Sequence, residues 1–88
     1  MASAKEAAIF IEEYGVLLEL SGANAFRVRA YTNAVRTLEM LETPLDALIA
    51  AGTLGEVKGI GKSVGKLVLE FADTGTATAY EELRASVP

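Results

Sequence analysis

The apolar positions of the chain recur at intervals of three and four, the spacing of one face of an α-helix. From Ser3 the residues Phe10, Tyr14, Leu17 and Leu18 follow that stripe, and Ser3 with Glu6 three positions later has the form of a capping box. Ser21-Gly22 ends this first helix. Asn24 is the next capping residue, and Tyr31, Ala34, Val35 and Leu38, with Leu41 at the end, carry the apolar face of a second helix. Thr43-Pro44 then restarts the chain, Thr43 as cap and Pro44 at the first helical position, and Leu45, Leu48 and Ile49 pack inward until Gly52 stops a short third helix. After Leu54 the chain passes Gly55, Gly59 and Gly61 into a fourth helix, whose core stripe is Val64, Val68, Phe71 and Ala72 with Leu67 beside it, and Gly75 ends it. A last helix runs from about Thr78 to Arg84 on Tyr80 and Leu83. No segment alternates as a strand does. The predicted fold is all-α, a compact bundle of four to five short helices.

Composition narrows what such a bundle does. At 88 residues the chain makes one small domain, 1–88, and its 51% hydrophobic content is enough for a packed core. With no Cys and no His, a disulfide framework, a thiol nucleophile, a Ser-His triad and the usual zinc site are excluded. No apolar run approaches a membrane span, and the start lacks a signal peptide's basic and apolar stretches, so a cytoplasmic protein with no membrane partner is expected.

The net charge of −4 argues by itself against nucleic acid, but the charges are unevenly placed. Gly22 to Arg36 holds Arg27, Arg29 and Arg36 and no acid, and Val57 to Lys66 holds Lys58, Lys62 and Lys66 and no acid. The second segment is also the glycine-rich one. Gly59 and Gly61 bracket Ile60 between two helices, allowing backbone angles denied to residues with a Cβ, while Ile60 anchors the turn in the core. The N–H groups of Gly61, Lys62 and Ser63 open a helix, where a phosphate is stabilised, and Lys62 and Lys66 lie four apart on one face.

Two phosphate-binding motifs come close and fail. Gly61-Lys62-Ser63 has the end of a P-loop, but Glu56 stands where its first glycine is required; Gly59-x-Gly61 with Gly65 misses the dinucleotide fingerprint by one position, and neither follows a strand. What does fit is the helix-hairpin-helix pattern, here Val57, Gly59, Ile60, Gly61 and Gly65 within about 54–72. Such motifs bind the DNA backbone without reading sequence.

Together with Leu17 to Gly22, Asn24-Ala-Phe26-Arg-Val-Arg-Ala-Tyr31, Ala34, Phe71, Gly75 and Tyr80 to Leu83, this hairpin resembles the N-terminal domain of bacterial family X DNA polymerases, similar to DNA polymerase beta. The resemblance implies a domain that grips the 5′-phosphate end of a DNA gap during repair, joined in cis to a polymerase domain beyond Pro88. It implies DNA contacts at Lys58, Gly59, Ile60, Gly61, Lys62, Ser63, Lys66, Arg27 and Arg29, with Tyr31 at a pocket tyrosine. It also implies a monovalent cation held by the carbonyls of Val57 and Ile60, the only cofactor expected. In some members a lysine Schiff base removes a 5′-deoxyribose phosphate; here that position is Leu67, which forms no imine, and another pocket lysine is replaced by Ser63. With no Asp-x-Asp for two metal ions, the 88 residues hold no polymerase site. The expected function is therefore sequence-independent DNA binding by a monomer. The alternatives are a deoxyribose phosphate lyase using Lys66 or Lys62 and a helical protein-interaction module.

Overall fold

A computed structural model describes residues 3–87. Among them the chain forms five α-helices, one 3₁₀ turn and no strand. Helix α1 is Ala4–Leu20, and its start follows the sequence closely: Ser3 Oγ accepts from the Glu6 N–H at 3.1 Å, and Glu6 Oε1 accepts from the Ser3 N–H at 3.0 Å. The Ser3 N–H foremost, and the Ser3 hydroxyl after it, hold the Glu6 carboxyl below its ordinary pKa. Helix α2, Ala25–Glu39, opens with Asn24 Oδ1 accepting from the Arg27 N–H at 2.9 Å.

Helix α3 is Leu45–Ala51, and its start differs from the expectation. Pro44 has ψ 140°, so it flanks the helix as cap, and its carbonyl accepts from the N–H groups of Ala47 and Leu48. Thr43 makes no cap bond, because the helix begins one residue later than a proline in the first turn would require. A 3₁₀ turn, Leu54–Glu56, leads to α4, Gly61–Thr74, and then α5, Thr78–Ser86. Glu70 on α4 joins the last two helices, its Oε2 accepting from both the N–H and the hydroxyl of Thr78.

Helices α1 and α2 pack along each other, and α4 and α5 close over α1. Gly15 sets the first contact, since a Cβ there would lie 3.6 Å from the Cβ of Tyr31. Ile11, Leu38, Leu54 and Val68 are fully buried, one from each arm of the core. Leu67 belongs to that core instead of flanking it, while Phe71 and Ala72 are only half-buried. Phe71 stacks on Phe10 with ring centroids 4.4 Å apart, and Tyr80 closes the other side of Phe10 at 5.0 Å. The Tyr80 hydroxyl donates to Glu13, which ties α5 to α1.

Candidate nucleic-acid interface

The glycine turn is built by close backbone contacts. Gly65 and Gly55 bring α4 against the 3₁₀ turn, a Cβ on Gly65 falling 3.4 Å from the Gly55 Cα. Ile60 donates its N–H to the Val57 carbonyl at 3.0 Å and buries its side chain, 3% exposed, as the anchor the sequence requires. Gly59 and Gly61 take φ of +98° and +69°, in the left-handed region. Gly59 is constrained twice, because a Cβ there would meet Thr37 Oγ1 at 2.3 Å; that hydroxyl in turn donates to the Asn33 carbonyl. The turn is thus seated on α2 through Thr37, a residue the sequence reading did not single out. The N-terminal arm also differs from expectation. It is a single 3₁₀ turn and not an α-helix, since the left-handed stop at Gly52 and the extended Val57 leave only four residues between them.

Helix α4 opens here without an acceptor of its own. Ile60 offers no side-chain cap and the first turn holds no acid, a combination unique among the five helices: α1 and α2 have side-chain caps, and α3 and α5 have Asp46 and Glu81 in their first turns. The free N–H groups of that first turn, with the helix dipole behind them, favour an anion. Lys58, Gly59, Gly61, Lys62, Ser63 and Lys66 are all exposed around them.

Ser63 and Lys66 also line a surface pocket of about 300 Å³ with Tyr14, Tyr31, Leu67, Glu70 and Glu82. Burial pushes the Tyr14 phenol above its ordinary pKa, the neighbouring Tyr31 adds to this, and the Arg27 guanidinium beside it pulls the other way. Arg27 thus acts on Tyr14, a wall of this pocket, from α2, while Ser63 and Lys66 line it from α4. Arg29 does not join them. Two residues on, it is turned by about 200° around the helix and lies with Glu19, Ala23 and Thr32. Tyr31 is buried, its ring 5.1 Å from that of Tyr14, so its role is in the pocket wall. Phe26, beside Arg27, is 83% exposed, the kind of side chain on which an unpaired base stacks. It stands outside the apolar stripe of α2, which is the sequence signal that marks it.

Leu67 is 5% exposed, so the position is filled by core packing, and the neighbouring amine of Lys66 faces out. The carboxylates of Glu70 and Glu82 share the pocket with Lys66 and lower its positive potential. No cluster of three or more His, Cys, Asp or Glu side chains suited to a metal occurs among the described residues. The turn carbonyls are neutral oxygen ligands, a donor type for hard cations, and the Val57 carbonyl already accepts one hydrogen bond. No helix among the described residues is long and apolar enough to cross a membrane.

Residues 3–77 match the family model of the helix-hairpin-helix domain. The chain is also 31% identical over 78 residues to the DNA polymerase/3′-5′ exonuclease PolX of Bacillus subtilis (strain 168), a match that covers 89% of this chain and 13% of that protein. The chain thus spans about an eighth of the relative's length.

Proposed function

This chain belongs to the helix-hairpin-helix domain family, and from that premise we propose that it binds the phosphate backbone of DNA at the 5′-phosphate end of a gap, as a monomeric unit joined in cis to a repair polymerase of family X. Membership of this family and the relation to PolX support DNA binding in general. The observation that carries the finer reading is the start of α4, the one helix with neither a cap nor an acid, opening from a turn with Lys58, Lys62 and Lys66 around it. A phosphate oxygen takes the N–H groups of Gly61, Lys62 and Ser63, and the lysines neutralise it and its neighbours along the backbone. Arg27 reaches the same strand from α2, across the pocket lined by Ser63 and Lys66. The carbonyls of Val57 and Ile60 would hold a monovalent cation, which would add positive charge on the side of the turn that meets the phosphate. Nothing in this set reads a base edge, so recognition is independent of sequence. Four cations give a salt dependence with a log-log slope of about −3 to −4.

The reaction through a lysine imine has no residue to carry it at Leu67, and the function rests on binding.

The test is a titration of the folded domain with gapped DNA carrying or lacking the 5′-phosphate, followed by backbone amide NMR at low and higher salt. Shifts centred on Gly59 to Lys66 and Arg27 that require the 5′-phosphate and fade with salt are expected. Equal shifts with both DNAs would reduce the reading to general backbone binding, and a spectrum unmoved by either would overturn it.

A further inference from the structure

The far end of α4 carries a surface of opposite character. Between α1, the end of α4 and α5 lies a groove of about 430 Å³ with a floor of Phe10, Phe71 and Tyr80. Glu6, Glu13 and Glu81 stand around it with one cation, Arg84. Each carboxylate has an internal donor, the Ser3 N–H, the Tyr80 hydroxyl and the Thr76 hydroxyl respectively. An ionised carboxylate offers about four acceptor positions, so each retains capacity for a charged donor. Ile9 rises at the edge, 59% exposed, and the apolar line continues along the same face of α1 through Val16 and Leu20, both exposed, with Glu12 and Glu19 beside it. From Ile9 to Leu20 that line runs about 16 Å, the length of roughly three turns of helix.

We infer that this groove and the Ile9–Val16–Leu20 line dock a basic amphipathic helix of a partner protein, its apolar face on the aromatic floor and its Lys and Arg side chains on the flanking carboxylates. Charge fixes the class of partner: an acidic rim around an apolar floor repels phosphate, and so repels DNA and anionic lipid, while it attracts a cationic peptide. Length excludes a small ligand as the main occupant, because the exposed line extends well past the groove. The proposal stands independently of DNA binding. The groove includes Gly75 and Thr76 at the C-terminal end of α4, and the 14 residues of that helix separate it from the glycine turn by about 20 Å. Both surfaces can therefore be occupied at once.

The probe is a synthetic 18-residue amphipathic helix of Leu and Lys, compared with a peptide of equal length and charge in which Ser replaces Leu. Amide shifts at Ile9, Phe10, Glu13, Val16, Phe71 and Tyr80 are expected with the Leu peptide, and binding about fivefold or more tighter than with the Ser peptide, from the apolar area buried. Ile9→Ser and Glu81→Gln, both at exposed positions, are expected to weaken the Leu peptide about threefold or more each. Neither is expected to change the affinity for gapped DNA or the circular dichroism spectrum. Equal affinity for the two peptides, shifts centred on the glycine turn, or binding indifferent to Ile9→Ser would overturn the proposal.

Discussion

Helices α1 and α4 answer the same need in opposite ways. Each begins with backbone N–H groups that have no partner within the helix. In α1, Ser3 and Glu6 supply the acceptors, and the Glu6 charge is aligned with the helix dipole. In α4 the cap is a buried isoleucine between two glycines, the first turns carry Lys62 and Lys66, and the acids Glu70 and Asp73 come in the second half. That order opposes the dipole, at about 0.3–1 kcal/mol per exposed charge. A helix that satisfies its own start has no use for an external anion; one that leaves its start open and adds lysines is stabilised when a phosphate arrives. Within one small bundle, the helix start that lacks internal acceptors marks the candidate site.

The contrast depends on the turn that presents α4, so the largest effect is expected there. Gly59→Ala combines a left-handed φ with a Cβ placed 2.3 Å from Thr37 Oγ1. A loss of about 2–4 kcal/mol is expected, read as a shift in urea midpoint, together with at least about tenfold weaker DNA binding. Adding Thr37→Ala removes the clash and leaves the backbone strain, so the double variant is expected to recover part of the loss. If it recovers none, Thr37 does not seat the turn. Gly61→Ala sharpens the same point, because at φ +69° an added Cβ there meets no atom within 4 Å. Only the backbone term remains, about 1–2 kcal/mol, and a loss as large as that of Gly59→Ala would contradict this division.

The two helix starts were not equally legible in the sequence. The capping box at Ser3 and Glu6 and the cap at Asn24 are local patterns, fixed by contacts three residues apart, and both stand in the structure as expected. The stripes of α1, α2 and α4 likewise place the core, and Ile60 is buried as its position between the glycines requires. What the sequence could not show is set by contacts distant along the chain. Thr37 gains its importance only from the approach of Gly59, and Tyr14 only from burial beside Tyr31 and Arg27. Glu70 and Glu82 come from different helices to flank Lys66, so a segment without acids in sequence has acids nearby in space. The separation of Arg27 from Arg29 follows from helical rotation and was within reach of the sequence alone.

On the DNA side, the lysines are expected to act on binding and hardly at all on folding. Lys62→Ala with Lys66→Ala is expected to weaken gapped-DNA binding about tenfold and to make the salt slope shallower by about 2. Unfolding free energy should hold or rise by a few tenths of a kcal/mol, since two charges that oppose the dipole are removed. A marked loss of stability would mean that the lysines serve the fold, and the contrast with α1 would collapse.

At α1 the expectations reverse. Ser3→Ala is expected to cost about 1 kcal/mol of stability with no change in DNA affinity. The subtlest consequence belongs to Glu6, whose carboxyl is held below its ordinary value of 4.5 by the Ser3 N–H first and the Ser3 hydroxyl second. A lowered folded-state pKa means that ionised Glu6 stabilises the fold above the unfolded value, and that this contribution is lost as pH falls through the folded one. Glu6→Gln keeps a hydrogen-bonding side chain at the capping-box position but has no charge to lose. The wild type is therefore expected to be the more stable at pH 7, with the two melting temperatures converging in the acid range below 4.5, where Glu6 becomes protonated. Parallel curves for wild type and Glu6→Gln across the acid range would show that the charge at the start of α1 contributes nothing beyond its hydrogen bond.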